Sequence, residues 1–167
     1  MKIQVSKISE EEGLRVHHQF AEHEPELEDQ DSKIVGRPVI EALATRDLDE
    51  VRLTGGLEAT VQIVCARCLG PVEVPIEEDF DLFYVPAADP RLLNEERELA
   101  EEDLTVGVYR GDFIDLADVV REQIELTLPM ARLCSEDCRG LCVDCGANLN
   151  EGGCSCPARG DAIAGLA

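Results

Sequence analysis

LEATVQIVCARCLGPVEVPIEEDFDLFY, residues 57–84, decides how the chain folds. Leu57, Ala59, Val61, Ile63 and Cys65 share one parity, the mark of a strand with one buried face. CARCLGP interrupts the pattern, with Gly70 and Pro71 as breakers. Val72, Val74 and Ile76 resume it, and Phe80, Leu82 and Tyr84 carry it on. The stretch predicts an antiparallel hairpin with the pair Cys65-x2-Cys68 at its tip.

Outward from the hairpin the signals are mixed. KIQVSKI (2–8) alternates enough for a strand, and the residues after it continue that strand or turn. EHEPELEDQDSK (22–33) is acidic, holds a proline and lacks a periodic apolar set, so it reads as a solvated loop. IVGRPVIEALATRD (34–47) fits a strand or a helix equally. Downstream, residues 86–103 read as an acidic loop and LTVGVY (104–109) as a short strand. IDLADVVREQIELTLP (114–129) predicts a helix. Asp115 is placed to cap it, and Leu116, Val119, Val120, Ile124 and Leu128 form one stripe. Pro129 ends it.

These elements predict an α+β fold: an antiparallel sheet, with closure into a barrel as one option, one core helix and a C-terminal Cys-rich, zinc-bound coil. The expected organisation is a core domain over 1–129, a zinc-binding segment over 130–157 packed on that core, and a flexible tail over 158–167. Tryptophan is absent and aromatics make up 4% of the chain, so the core must come from Val, Leu, Ile and Ala.

After Pro129 the periodic apolar residues run out, while CSEDCRGLCVDCGANLNEGGCSC (134–156) holds six of the eight cysteines. Such a segment buries too little apolar surface to offset its ordering entropy. The cysteines fall into four close pairs: Cys65/Cys68, Cys134/Cys138, Cys142/Cys145 and Cys154/Cys156. Eight thiols so spaced suit two tetrahedral four-sulfur sites, with Zn2+ as the default metal. Gly146 supplies the permissive backbone that a C-x2-C-G turn wants.

Closing a short loop costs the least entropy, which groups Cys142, Cys145, Cys154 and Cys156 locally and leaves Cys65, Cys68, Cys134 and Cys138 as a long-range staple. An interleaved arrangement stays open: Cys65/Cys68 with Cys142/Cys145, and Cys134/Cys138 with Cys154/Cys156. Arg67, Arg132 and Arg139 flank the thiols, either to neutralise thiolates or as a small basic patch.

The start, MKIQVSKISEEEG, lacks an apolar signal-peptide segment, and no stretch approaches the roughly 18 apolar residues of a membrane span. A reducing cytoplasm is therefore expected, where structural disulfides are uncommon and metal or thiol chemistry is favoured. The formal charge is −21. Three arginines (Arg132, Arg139, Arg159) against five acids (Glu136, Asp137, Asp144, Glu151, Asp161) give residues 129–167 a net of −2, leaving −19 on residues 1–128. That field repels nucleic-acid phosphates at long range and attracts basic partners; plain solubility is the competing reading.

Rival uses of the thiols fit less well. CRGLCVDC (138–145) has the C-x3-C-x2-C spacing of radical SAM enzymes but no repeated βα pattern before it. CARC is followed by Leu69, Gly70 and Pro71 and a strand, whereas a thioredoxin-like pair wants a helix N-terminus. A thiol- and zinc-based redox sensor or chaperone remains an alternative. His17, His18 and His23 lie in an acidic stretch and read as solvated surface, with metal ligation as the alternative. No catalytic residue is assigned, and the chain is expected not to be an enzyme.

VCARCLGPVEVPIEEDF, DFIDLADVVREQIELTLPMARLC and CRGLCVDCGANLNEGGCSC together resemble the bacterial YceD-like family, the large ribosomal RNA subunit accumulation proteins. The three blocks run in order over about residues 57–156. The resemblance implies a role in accumulating or processing large-subunit (23S) rRNA, hence in ribosome assembly, with no defined catalytic activity. The family's cysteine pattern falls on all eight cysteines of this chain. Its acidity implies contact with a basic ribosomal protein or a basic patch on a pre-ribosomal large-subunit particle, with residues 22–31 and 95–103 as natural contacts. Direct contact with RNA is left open.

Overall fold

The computed structural model describes residues 1–88 and 106–156. Residues 89–103 of the loop expected over 86–103, the first two residues of LTVGVY and the expected tail over 158–167 lie outside the described residues. The chain forms two compact units: Met1–Gln62 with Glu73–Leu128, and Ile63–Val72 with Pro129–Ala167.

The first unit holds most of a five-stranded sheet in the order β2-β3-β4-β5-β6. Its strands are β2 (Leu14–Gln19), β3 (Ser32–Asp47), β4 (Glu50–Val64), β5 (Pro71–Pro86) and β6 (Val106–Tyr109). The residues of 34–47 that fit strand or helix are strand, paired on both sides. Along β3 the even positions Ile34, Ile40, Ala42 and Ala44 are buried. Along β4 the odd positions Val51, Leu53, Leu57, Val61 and Ile63 are buried, and along β5 Ile76, Phe80 and Tyr84 are. This is the period-2 burial that pleating imposes. Only Leu48 and Asp49 join β3 to β4, and six residues join β4 to β5; both links are too short for anything but an antiparallel return.

The sheet departs from expectation in two ways. It is mixed: β6 pairs parallel to β5, with Tyr84 opposite Gly107. Nineteen residues, 87–105, separate the two strands, enough for the crossover that parallel pairing needs. It is also open and not a barrel, because β2 and β6 stand at opposite edges and do not pair among the described residues.

A second, two-stranded sheet joins β1 (Lys2–Gln4) to β7 (Phe113–Asp115), with Ile3 opposite Ile114 and both buried. The run expected as a strand over 2–8 therefore stops at Gln4 and tightens into a 3-10 turn over Val5–Lys7. Asp112 fixes this start, accepting from the Ser6 backbone N–H and from Gln4 Nε2.

The single described helix, α1 (Leu116–Thr127), begins where Asp115 accepts from the Ala117 N–H at 3.1 Å. Its stripe of Leu116, Val119, Val120 and Ile124 is buried, and Leu128 is half-buried at its end. No described helix is long and apolar enough to cross a membrane.

Candidate metal centre

All eight cysteines are free thiols, and they gather into two groups. Cys65, Cys68, Cys134 and Cys138 form the first cluster; Cys142, Cys145, Cys154 and Cys156 form the second. This is the local grouping and not the interleaved one. Both lie within the second unit, which carries the hairpin tip Ile63–Val72 and the chain after α1.

One turn geometry serves both C-x2-C pairs. At the first, the Leu69 N–H donates to the Cys65 carbonyl at 2.9 Å, and the Cys65 N–H to the Gly70 carbonyl at 2.8 Å. At the second, the Gly146 N–H donates to the Cys142 carbonyl at 2.8 Å, and the Cys142 N–H to the Ala147 carbonyl at 2.8 Å. The residue after the second cysteine is left-handed in each, Leu69 at φ 56° and Gly146 at φ 71°. Such a turn aims successive backbone N–H groups at the first sulfur. Those donors, Cys68 first, hold the Cys65 thiol down at about 6 despite its burial. The Cys145 and Asp144 N–H groups hold Cys142 at about 7.

The second pairs are not alike: against its burial, the Asn150 amide and the Gly140 N–H favour the Cys138 thiolate and lower it, while Cys134 and Cys156 move the other way. Cys134 is pushed up to about 12 by Cys138 and Cys68, and Cys156 to about 12 by Cys145 and Cys142. A thiolate formed in either cluster thus discourages a neighbour from ionising, as like charges must at this range. A divalent cation among the four sulfurs reverses that penalty.

The spacing fits such a cation. Four sulfurs about 2.3 Å from a tetrahedral metal stand about 3.8 Å from one another. Cys65 and Cys138 Sγ are 3.8 Å apart, and Cys68 and Cys134 Sγ 3.7 Å. In the second cluster Cys142 and Cys154 Sγ are 3.3 Å apart, tighter than that spacing. In each cluster all four sulfurs lie within 4.8 Å of one another. An all-sulfur, tetrahedral donor set is soft and suits zinc or iron.

The surroundings differ. Cys65, Cys68 and Cys138 are buried, and Val72, Leu133 and Leu141 pack around them. In the second cluster Cys142, Cys154 and Cys156 are half-buried and Cys145 is exposed. Arg67 does more than offset charge: its Nη1 donates to the carbonyls of Glu136 and Cys138, holding the C-x3-C turn. The Ala66 N–H donates to the Arg132 carbonyl at 2.7 Å, joining the hairpin tip to the segment after α1. Asn150 Nδ2 donates to Cys138 Sγ at 3.3 Å, a contact no local pattern announces. None of the histidines enters a cluster. His17 meets Glu41, His18 lies edge-on to Phe20, and His23 meets the Ile34 carbonyl.

Residues 53–167 match the family model described as large ribosomal RNA subunit accumulation protein YceD. Among curated proteins, the chain is 26% identical over 137 residues to a chloroplastic large ribosomal RNA subunit accumulation protein homolog of Zea mays. That match covers 69% of this chain and 47% of the maize protein. An Arabidopsis thaliana homolog of the same name is 25% identical over 142 residues, 72% of this chain and 44% of its own length. An uncharacterized Mycobacterium tuberculosis protein is 36% identical over 102 residues, 59% of this chain and 45% of that one. The chain spans just under half the length of these relatives. No solved structure matches it.

Proposed function

We propose, since this chain belongs to the YceD family of large ribosomal RNA subunit accumulation proteins, that it supports large-subunit (23S) rRNA accumulation as a non-enzymatic assembly factor. In this reading Cys65, Cys68, Cys134 and Cys138 hold one zinc ion, and Cys142, Cys145, Cys154 and Cys156 a second. Zinc would supply cross-links and no reaction, because a site closed by four thiolates leaves no position for substrate. The observation that carries this part is the pair of four-sulfur clusters, each with all its sulfurs within 4.8 Å of one another and the first with two pairs at near-tetrahedral spacing.

The partner is a basic ribosomal protein or the basic surface of a pre-ribosomal large-subunit particle. The charge of −21 favours such a surface over bare phosphate. In the first unit an open cleft of about 910 Å3 is lined by Glu41, Glu58, Glu77, Glu78 and Asp79, with His17 the one basic group among its described lining residues. The loop after β2, residues 22–31, adds acid; residues 95–103 lie outside the described residues. Depleting the protein from its own cells tests the reading: mature large-subunit rRNA should fall while small-subunit rRNA holds. Unchanged large-subunit rRNA after complete depletion would overturn it. Replacing Glu77 and Glu78 by Lys should weaken salt-sensitive capture of the large-subunit precursor that survives nuclease treatment.

One observation favours a second reading, a zinc redox switch: Cys145 is exposed and Cys142 is held at about 7 in the second cluster. Mild peroxide separates the two. Retention of both metals supports scaffolding; release of one with disulfide formation supports the switch.

A further inference from the structure

We infer that the two metal sites load as a coupled pair, and that Asn150 is the positioning residue that couples them. This rests on the reading of both clusters as metal sites.

Three residues, Arg139, Gly140 and Leu141, separate the last ligand of the first cluster from the first ligand of the second. Gly140 is left-handed at φ 72°, and a Cβ there would stand 3.0 Å from the Arg67 carbonyl, so the link runs tight against the first turn. The return loop of the second cluster is pinned to this link. Leu141 bridges Asn148, and the Leu149 N–H donates to the Gly140 carbonyl at 2.9 Å.

Asn150 completes the connection. Its side-chain oxygen accepts from the Arg139 N–H at 2.8 Å. Its Nδ2 donates to Asn148 Oδ1 at 3.0 Å and to Cys138 Sγ at 3.3 Å. The backbone donor at Arg139 fixes the amide's orientation, because only the oxygen can accept from it. A residue inside the Cys145–Cys154 loop therefore donates to a ligand of the other cluster.

The coupling runs both ways. Metal in the second cluster closes the loop from Cys142 to Cys154 and immobilises Asn150, so its bond to Cys138 costs little further ordering. Metal in the first cluster turns Cys138 into a thiolate, and the N–H···S bond becomes charge-assisted and stronger. By linkage, each metal raises the affinity for the other by one common factor. Removing a hydrogen bond to a charged group gives a change of about tenfold or more.

The test is a chelator-competition measurement of the first cluster's zinc affinity in four proteins. These are the native chain, Asn150→Ala, a second-cluster knockout (Cys142→Ser with Cys145→Ser), and the knockout carrying Asn150→Ala. The native chain should bind about tenfold more tightly than the knockout. Asn150→Ala alone should fall to the knockout's affinity while still holding two zinc ions by native mass spectrometry. Added to the knockout, it should change nothing. Equal affinity in the native chain and Asn150→Ala overturns the inference, and so does an equal loss in both backgrounds. Asn150→Asp keeps the shape but sets a carboxylate oxygen against the thiolate, and should weaken the first site further than Ala. If Asp matches the native affinity, the N–H donor is irrelevant and the inference fails. Failure of every protein to bind zinc instead removes the reading on which the inference rests.

Discussion

The two clusters begin with the same turn and close in different ways. Both set a C-x2-C pair under the same two backbone hydrogen bonds and end it in a left-handed residue. The first takes its other two sulfurs from a segment 66 to 73 residues along the chain and buries three of its four cysteines. The second closes within Cys142–Cys156 and keeps its sulfurs partly open to solvent. The turn prepares a cage, and what it closes on decides what the cage is for. The first gathers sulfurs from distant parts of the chain, whereas the second lies within a coil with no described helix or strand.

The largest expected difference comes from breaking each cage. In a chain-entropy picture, joining Cys65 to Cys138, 73 positions apart, restrains the unfolded chain by about 4 kcal/mol, and joining Cys142 to Cys154, 12 positions apart, by about 3 kcal/mol. Cys68→Ser should therefore lose one metal and suffer the greater fall in Tm. Cys145→Ser should lose one metal and leave the melting of the sheet and α1 nearly unchanged. Calorimetry with metal counting checks both, and the reverse order would break the comparison. Next comes access: a chelator in excess should strip the second cluster first, followed by mass spectrometry over time. Simultaneous stripping would make the difference in exposure irrelevant to metal loss.

The smaller effects probe the shared turn. Gly146→Ala forces a side chain into φ 71° and should cost about 1 kcal/mol in denaturant unfolding. Leu69→Gly removes that strain at φ 56° and should gain less than about 1 kcal/mol, because glycine also loosens the unfolded chain. Opposite signs confirm a common turn; a loss at Leu69 would give its side chain a role of its own.

Much of this was legible in the residues because the causes are local. The parity of Leu57–Cys65 and of Val72–Tyr84 sets which face is buried, and the stripe from Leu116 to Ile124 sets the helix. Loop-closure entropy selected the cysteine grouping that the structure adopts. What stayed hidden depends on distant partners. Residues 34–47 carry helix formers such as Glu41 and Ala42 amid β-branched residues, and pairing with both β2 and β4 settles them as strand. The parallel β6 turns on where a 19-residue connection returns the chain, which no alternation in VGVY records. Asn150 reaches Cys138 only once the return loop has folded back on Gly140 and Leu141.

The central claim is that metal held by eight thiolates shapes the second unit. X-ray absorption with elemental analysis on protein purified from its own cells tests it most directly. The account predicts two zinc ions per chain, each with four sulfurs at about 2.3 Å. Iron, a single metal with nitrogen or oxygen ligands, or a metal-free protein with its thiols oxidised would contradict it.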